Sequence, residues 1–354
     1  MLAQVHFPQT VLTDELDRYL AEGWFRMGQT IFSTNFLNFN KSFYSAVWLR
    51  IVLSECGRQQ SFEKLKKLNS KFRISFQPAS VTDEKEILFS RYRREISFEA
   101  SPSIGHLLFG REHTDNVYRT LELTIHDGDK LIACGFFDIG KNSAAGISSF
   151  YDPQYKKFSL GKYLIFLKIE YCISNGLNYF YPGYFVPGYS AFDYKLKIHH
   201  QAQEYLQLSS SKWTSIREFG TASNPMLVMR EKLAELQQQL TAEEIRSNVF
   251  YYEYYDANLV HDLSHLELFD FPMFVHYYDE LEGVINALVV FDVRDQQYHW
   301  LIVKSLWNSD VPMTQEDHFA SHLLKVEYEV FATASIPEMV AVIKKAVAHA
   351  ARPL

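Results

Sequence analysis

Between residues 150 and 195 the chain concentrates side chains that can move protons, hold anions or stack on flat ligands. Asp152 and Asp193 are carboxylates able to accept a proton. Lys162 and Lys195 are cations, and Tyr151, Tyr163, Tyr179, Tyr181 and Tyr184 crowd the stretch between them. Each ring could pack in a core, stack on a base or line a cleft. Ser159-Leu160-Gly161-Lys162-Tyr163 reads as a helix start with Ser159 as its N-cap, and the unpaired amides at such an end favour an anion. Asp152 before Pro153 equally suits a turn.

These groups need a scaffold, and its outline is legible. Asp127-Gly128 between two apolar runs, 121–126 and 130–139, signals a hairpin. A small-residue turn at 142–145 leads into a third run, 146–151, giving an antiparallel meander. A helix over 159–174 follows, capped by Gly176, and then a strand over 177–184. Meander, helix and strand in this order resemble the central part of the GNAT (N-acetyltransferase) fold, which holds its acyl donor's phosphates at the start of the helix after the meander. Lys195 and Lys197 alternate with Tyr194 and Leu196 as on an edge strand. Upstream, 14–21, 61–69 and 83–94 read as helices, and 30–39 and 46–53 as strands or extended loops.

The residues then support a closer resemblance. Phe150-Tyr151-Asp152-Pro153, Ser159-Leu160-Gly161-Lys162-Tyr163, Gly176-Leu177-Asn178-Tyr179, Tyr181-Pro182-Gly183-Tyr184 and Tyr194-Lys195 are similar to the signature of arginyl-tRNA-protein transferases and their leucyl-transferring bacterial relatives. Gly23-Trp24-Phe25-Arg26-Met27-Gly28 resembles that family's N-terminal glycine–arginine motif, and Arg50 falls where the family has an arginine. The resemblance spans about residues 20–205. It implies transfer of an amino acid of the arginine or leucine class from charged tRNA to a protein's N-terminal amine, tagging that protein for turnover. It also implies Asp152, Asp193, Tyr194 and Lys195 as catalytic residues, and Tyr151, Ser159, Leu160, Gly161, Lys162, Tyr163, Tyr184, Arg26 and Arg50 as donor- or substrate-binding residues. The partners it implies are aminoacyl-tRNA and a protein or peptide N-terminus.

Three departures stand out. The family's cysteines before Arg50 are absent, since 39–45 reads Phe-Asn-Lys-Ser-Phe-Tyr-Ser, so no metal, haem or cluster is expected there and no cofactor is expected at all. After Lys195 the chain reads Leu-Lys-Ile-His-His. The acidic stretch beyond residue 224 lies outside the resemblance. Two alternatives therefore stay open: a non-catalytic relative that binds tRNA or protein, and an acyl-CoA-dependent N-acyltransferase, although the two-glycine pyrophosphate loop of those enzymes is reduced here to Gly161.

The reading that results is an α+β chain in three parts: an N-terminal segment (1–75), a GNAT-like acyltransferase domain (76–215) and a small acidic α+β unit (225–354). Net charge is −7 over 354 residues, but residues 1–224 carry +4 and residues 225–354 carry −11. Only the first segment could favour a phosphate backbone, through residues such as Lys64, Lys66, Lys67, Arg91, Arg93 and Arg94. The acidic unit is read as a surface for another protein. In it, Asn224-Pro225 opens a helix, 284–291 and 298–304 read as strands, and Ser335 with Glu338 reads as a capping box for a last helix. His318 with His322, and His261 with His265, have metal-ligand spacing on a helix but lack a third ligand. Cys56, Cys134 and Cys172 are odd in number and far apart, which fits a reducing, cytoplasmic setting. No window approaches the roughly 20 apolar residues of a membrane span.

Overall fold

The structure, a computed structural model, describes residues 1–39, 41–96, 101–110, 116–277, 287–308, 319–320 and 322–350. The chain opens with β1 (Ala3–His6), α1 (Thr13–Ala21), β2 (Phe25–Met27) and β3 (Thr30–Thr34), the three strands forming one small sheet. A hairpin of β4 (Phe36–Phe39) and β5 (Ser42–Ser45) follows.

The chemistry of residues 150–195 is carried by an eight-stranded sheet. Its strands in chain order are β6 (Val47–Val52), β7 (Arg73–Pro78), β8 (Thr120–Asp127), β9 (Lys130–Ile139), β10 (Ser143–Tyr151), β11 (Tyr179–Phe185), β12 (Gln203–Gln207) and β13 (Lys212–Ser215). Across the sheet they run β13-β12-β6-β11-β10-β9-β8-β7. Gly128, with a φ of +63°, closes the β8–β9 hairpin at the expected Asp-Gly turn. Within this sheet, among the described residues, only β10 and β11 pair in parallel, and a parallel pair needs a crossover between its strands.

That crossover is α5 (Leu160–Ser174), which packs on one face beside α2 (Gln60–Leu68). Alternate β9 residues supply the two faces: Ala133, Phe137 and Ile139 share a core with α5, while Cys134 and Phe136 share one with α3 (Asp83–Arg93) and α4 (Ile104–Phe109). Because α5 is covered by the sheet, α2 and surrounding turns, it is apolar nearly all round, and Leu160, Leu164, Phe166 and Ile169 are fully buried or close to it. β6 lies inside this sheet, so residues on both sides of position 75 build it.

After the sheet, α6 (Pro225–Ala242) starts as expected, with the Asn224 side chain accepting from the Leu227 amide. It packs on a second sheet of six strands: β14 (Ser247–Tyr252), β15 (Met273–Tyr277), β16 (Ala287–Asp292), β17 (Gln297–Asn308), β18 (Phe319–Ala320) and β19 (His322–Thr333). The expected strand over 284–291 is seen from residue 287, its first three residues lying outside the described ones. Leu2, Phe36 and Phe43 share a core with α6 and this sheet.

Several local expectations are corrected. The Ser335–Glu338 capping box at the start of α7 (Ile336–Ala350) is half made: Ser335 Oγ accepts from the Glu338 amide, but the Glu338 carboxylate accepts the Thr333 hydroxyl instead. His261 and His265 lie in turns and His322 opens β19, so neither pair shares a helix face; His318 lies outside the described residues. Among the described residues no helix is long and apolar enough to cross a membrane.

Candidate active site

β10 and β11 pair only from Ser143 to Ala145 against Tyr179 to Tyr181. A bulge between Gly146 and Ser148 then leaves Ile147 opposite no residue of β9 and bends β10 away. Beyond the paired residues, three neighbouring clefts that share lining residues form a trench. The first, about 450 Å³, is lined by Arg26, Trp48, His106, Tyr184 and Lys195, among others. The second, about 120 Å³, shares Gly146, Ile147, Pro182 and Lys195 with the first. The third, about 280 Å³, shares Ser149, Ile165 and Tyr194 with the second and ends at Gly161 and Lys162, in the first turn of α5.

Lys195 stands where the first two clefts meet. It begins a short 3-10 turn, Lys195–Lys197, and not the expected edge strand: the Leu196 and Lys197 amides are taken by the carbonyls of Asp193 and Tyr194. Its Nζ donates to the Tyr184 carbonyl at 2.7 Å and lies 5.2 and 5.1 Å from the centres of the Tyr184 and Phe192 rings. Burial lowers its pKa to about 7. Gly183, with a φ of +87°, makes room for it, since a Cβ there would lie 3.2 Å from Nζ. Gly183→Ala is therefore expected to cost about 1–2 kcal/mol of backbone strain and, by shifting Lys195, to slow turnover about tenfold or more. Turnover measured at a temperature where circular dichroism shows both proteins folded checks this; unchanged turnover would detach Lys195 from the chemistry.

The other sequence candidates divide clearly. Tyr194, Gly161, Lys162, Tyr184 and Arg26 reach the trench, and Asp152, Asp193, Ser159, Leu160, Tyr163, Tyr151 and Arg50 do not line it. Asp152 is 2% exposed and caps the turn after β10, accepting from the Gln154 amide and pairing with Lys130 at 2.8 Å. Burial pushes its pKa up, but those contacts outweigh it and hold the carboxyl below its ordinary range. Asp193 is exposed. Ser159 does not cap α5 with its side chain: it takes a left-handed conformation (φ 51°, ψ 43°) because it also ends the preceding 3-10 turn, Pro153–Phe158.

Leu160 and Tyr163 are core residues of α5. Tyr151 lies close enough to α5 that a Cβ on Gly161 would come within 3.3 Å of its ring. Arg50 is sandwiched by the Tyr179 and Trp213 rings and paired with Glu204 at 2.6 Å. Arg26 lines the first cleft, yet its guanidinium is committed to Asp138, Thr120 and backbone carbonyls.

Sequence reasoning passed over Lys168 and Ser149. Lys168 is 2% exposed, and burial lowers its pKa to about 7. A lysine in the middle of a largely apolar helix was the available signal, because a buried cation requires nearby acceptors.

Comparison with known proteins finds sequence relatives. The family described as "Arginine-tRNA-protein transferase, C terminus" matches residues 84–206. The aspartate/glutamate leucyltransferase of Leptospira interrogans (strain Fiocruz L1-130) is 31% identical over 193 residues, covering 53% of this chain and 74% of the relative. The enzyme of the same description from Paracoccus denitrificans is 28% identical, covering 52% of this chain and 70% of its own. Among solved structures, the ribosomal-protein-S18-alanine N-acetyltransferase of Escherichia coli matches with a TM-score of 0.23 and 17% identity over 30% of this chain and 63% of that one. On its sequence relatives, the chain belongs to the arginyl- and leucyl-tRNA-protein transferase family, enzymes that transfer an amino acid from charged tRNA to a protein N-terminus.

Proposed function

We propose that the chain transfers leucine from its charged tRNA to proteins that begin with aspartate or glutamate, using a GNAT-like core. The observation that carries this reading is the row of three neighbouring clefts, sharing lining residues, from the first turn of α5 to Lys195. At its third cleft the rings of Tyr92 and Tyr194 would receive the terminal adenosine, and Lys162 with the free amides of α5 would face the phosphate. Arg91 and Arg93, in the last turn of α3, extend positive charge on the helix that supplies Tyr92.

The ester lies across the narrow second cleft, and the acceptor N-terminus enters the first. His106 is a basic side chain lining that first cleft without an ion-pair partner among the described residues, and it suits an acidic first residue.

Aminolysis of an ester needs no external energy, but the α-amine, with a reference pKa of about 7.7–8.0, arrives mostly protonated. Neutral Lys195 keeps one N–H on the Tyr184 carbonyl and offers its lone pair to the α-ammonium. The freed amine attacks the ester carbonyl and the C–O bond to ribose breaks. Lys195 returns its proton to the departing ribose oxygen, and the second amine proton leaves to solvent. No metal or cofactor enters these steps.

The acidic unit, 225–354, we assign to contact with another protein on its charge, and the cytoplasmic setting on three free cysteines. The test of the central reading is transfer of labelled leucine from leucyl-tRNA to peptides differing only in their first residue. Labelling confined to Asp and Glu peptides is expected; arginyl-tRNA serving in its place would reassign the donor, and no transfer from either would end the proposal.

A further inference from the structure

Lys168 projects from α5 into the bulge of β10, where its Nζ donates to the Ser148 carbonyl at 2.7 Å, the Phe136 carbonyl at 2.9 Å and the Ser149 hydroxyl oxygen at 3.1 Å. A Cβ on Gly135 would come within 2.9 Å of the same ammonium, so the backbone is shaped around it. Holding a cation in a core is costly unless its donors are satisfied, and here three acceptors meet it.

For Ser149 the contact fixes a direction. While Lys168 is protonated, the Ser149 oxygen accepts from it, which leaves the hydroxyl proton to point elsewhere. Ser149 lines both the second and third clefts, so that proton faces the narrow passage between the α5 end of the trench and Lys195. A donor that is pre-aimed and partly shielded from water stabilises charge developing in a transition state without having to reorient.

We propose that Ser149 is an oxyanion donor for this chain's transfer reaction and that Lys168 is the residue that positions it. As the amine nitrogen bonds to the ester carbon, the carbonyl electron pair moves onto oxygen, and the Ser149 O–H donates a hydrogen bond to it. When the C–O bond to ribose breaks, the pair returns to re-form the carbonyl, and Ser149 has neither gained nor lost a proton. The inference rests on the transfer reading above.

The test is a kinetic comparison of Ser149→Ala, Ser149→Thr, Lys168→Met and the double variant Ser149→Ala/Lys168→Met, using whichever charged tRNA and peptide the parent accepts. Ser149→Ala is expected to lose about 10²-fold in kcat, with KM for tRNA and for peptide unchanged within about twofold. Ser149→Thr, which keeps the hydroxyl, is expected to recover most of that loss. If Lys168 acts through Ser149, the double variant is no slower than the slower single one. Parent-like kcat in Ser149→Ala overturns the proposal, as do losses that multiply in the double variant. Should Lys168→Met fail to fold, the two Ser149 variants decide the matter alone. A parent that transfers nothing from any charged tRNA overturns the underlying reading and this one with it, whereas an active parent with an unaffected Ser149→Ala overturns only this one.

Discussion

Lys195→Met is expected to reduce kcat about 10²- to 10⁴-fold, the range of a lost general base, and to change the pH dependence of what remains. Burial holds the Lys195 ammonium at a pKa of about 7, far below its ordinary value, because the charged form gives up water and gains only the Tyr184 carbonyl and two ring faces in return. In the proposed mechanism the active form is the neutral one, so activity is expected to rise as pH increases through 7 and to level off above it. Without Lys195 the substrate's α-amine has to lose its proton unaided, and the rise moves toward about 8. Lys195→Arg keeps the charge but cannot deprotonate, so it is expected to be as slow as Lys195→Met. Rates within threefold of the parent across pH 6–9 would remove Lys195 from the chemistry. A raised KM for peptides with acidic first residues, at unchanged kcat, would leave it a binding role alone.

The part of this site that was legible in the sequence is the part written in local rules. Asp127-Gly128 announced the hairpin because that turn needs positive φ, and Ser159 to Gly176 announced the crossover helix through its apolar content and stop signal. Residues 194–195 were legible only through family likeness, and the geometry assumed for them was wrong: a strand and a 3-10 turn place alternate residues differently, and nothing local in Tyr-Lys-Leu-Lys separates them. What could not be read was which polar groups are already spent. Asp152 looked like a free acceptor, but Lys130, 22 positions upstream, reaches it only after β9 and β10 have paired. Arg50 looked free until Glu204 came beside it across the β6–β12 register. Lys168 and Ser149 meet for the same reason, a bulge that only the folded sheet defines.

Arg26 sharpens that point and carries the largest expected effect on stability. Its side chain is 4% exposed and that of Asp138 is fully buried, and they pair at 2.9 Å. The guanidinium also donates to Thr120 at 2.8 Å, the Gly28 carbonyl at 2.6 Å and the Leu108 carbonyl, and stacks 4.5 Å from the centre of the Tyr118 ring. Such a group ties the N-terminal strands to β8, β9 and α4 beneath the first cleft and has little left to offer a substrate. Arg26→Met removes the countercharge while Asp138 stays buried, an imbalance that costs about 3–5 kcal/mol, out of a total stability of about 5–15 kcal/mol for a typical folded protein. The urea midpoint should fall accordingly. Arg26→Met/Asp138→Leu, which removes both charges together, should restore much of the loss, since an apolar pair of similar volume avoids the desolvation that the ion pair must overcome. If Arg26 instead gripped a substrate carboxylate or phosphate, Arg26→Met would unfold at the parent's urea concentration and show a raised KM, and the second substitution would rescue nothing. The two outcomes differ in both measurements, so one denaturation series and one kinetic series on the same proteins decide whether this arginine binds substrate or supports the floor on which substrate binds.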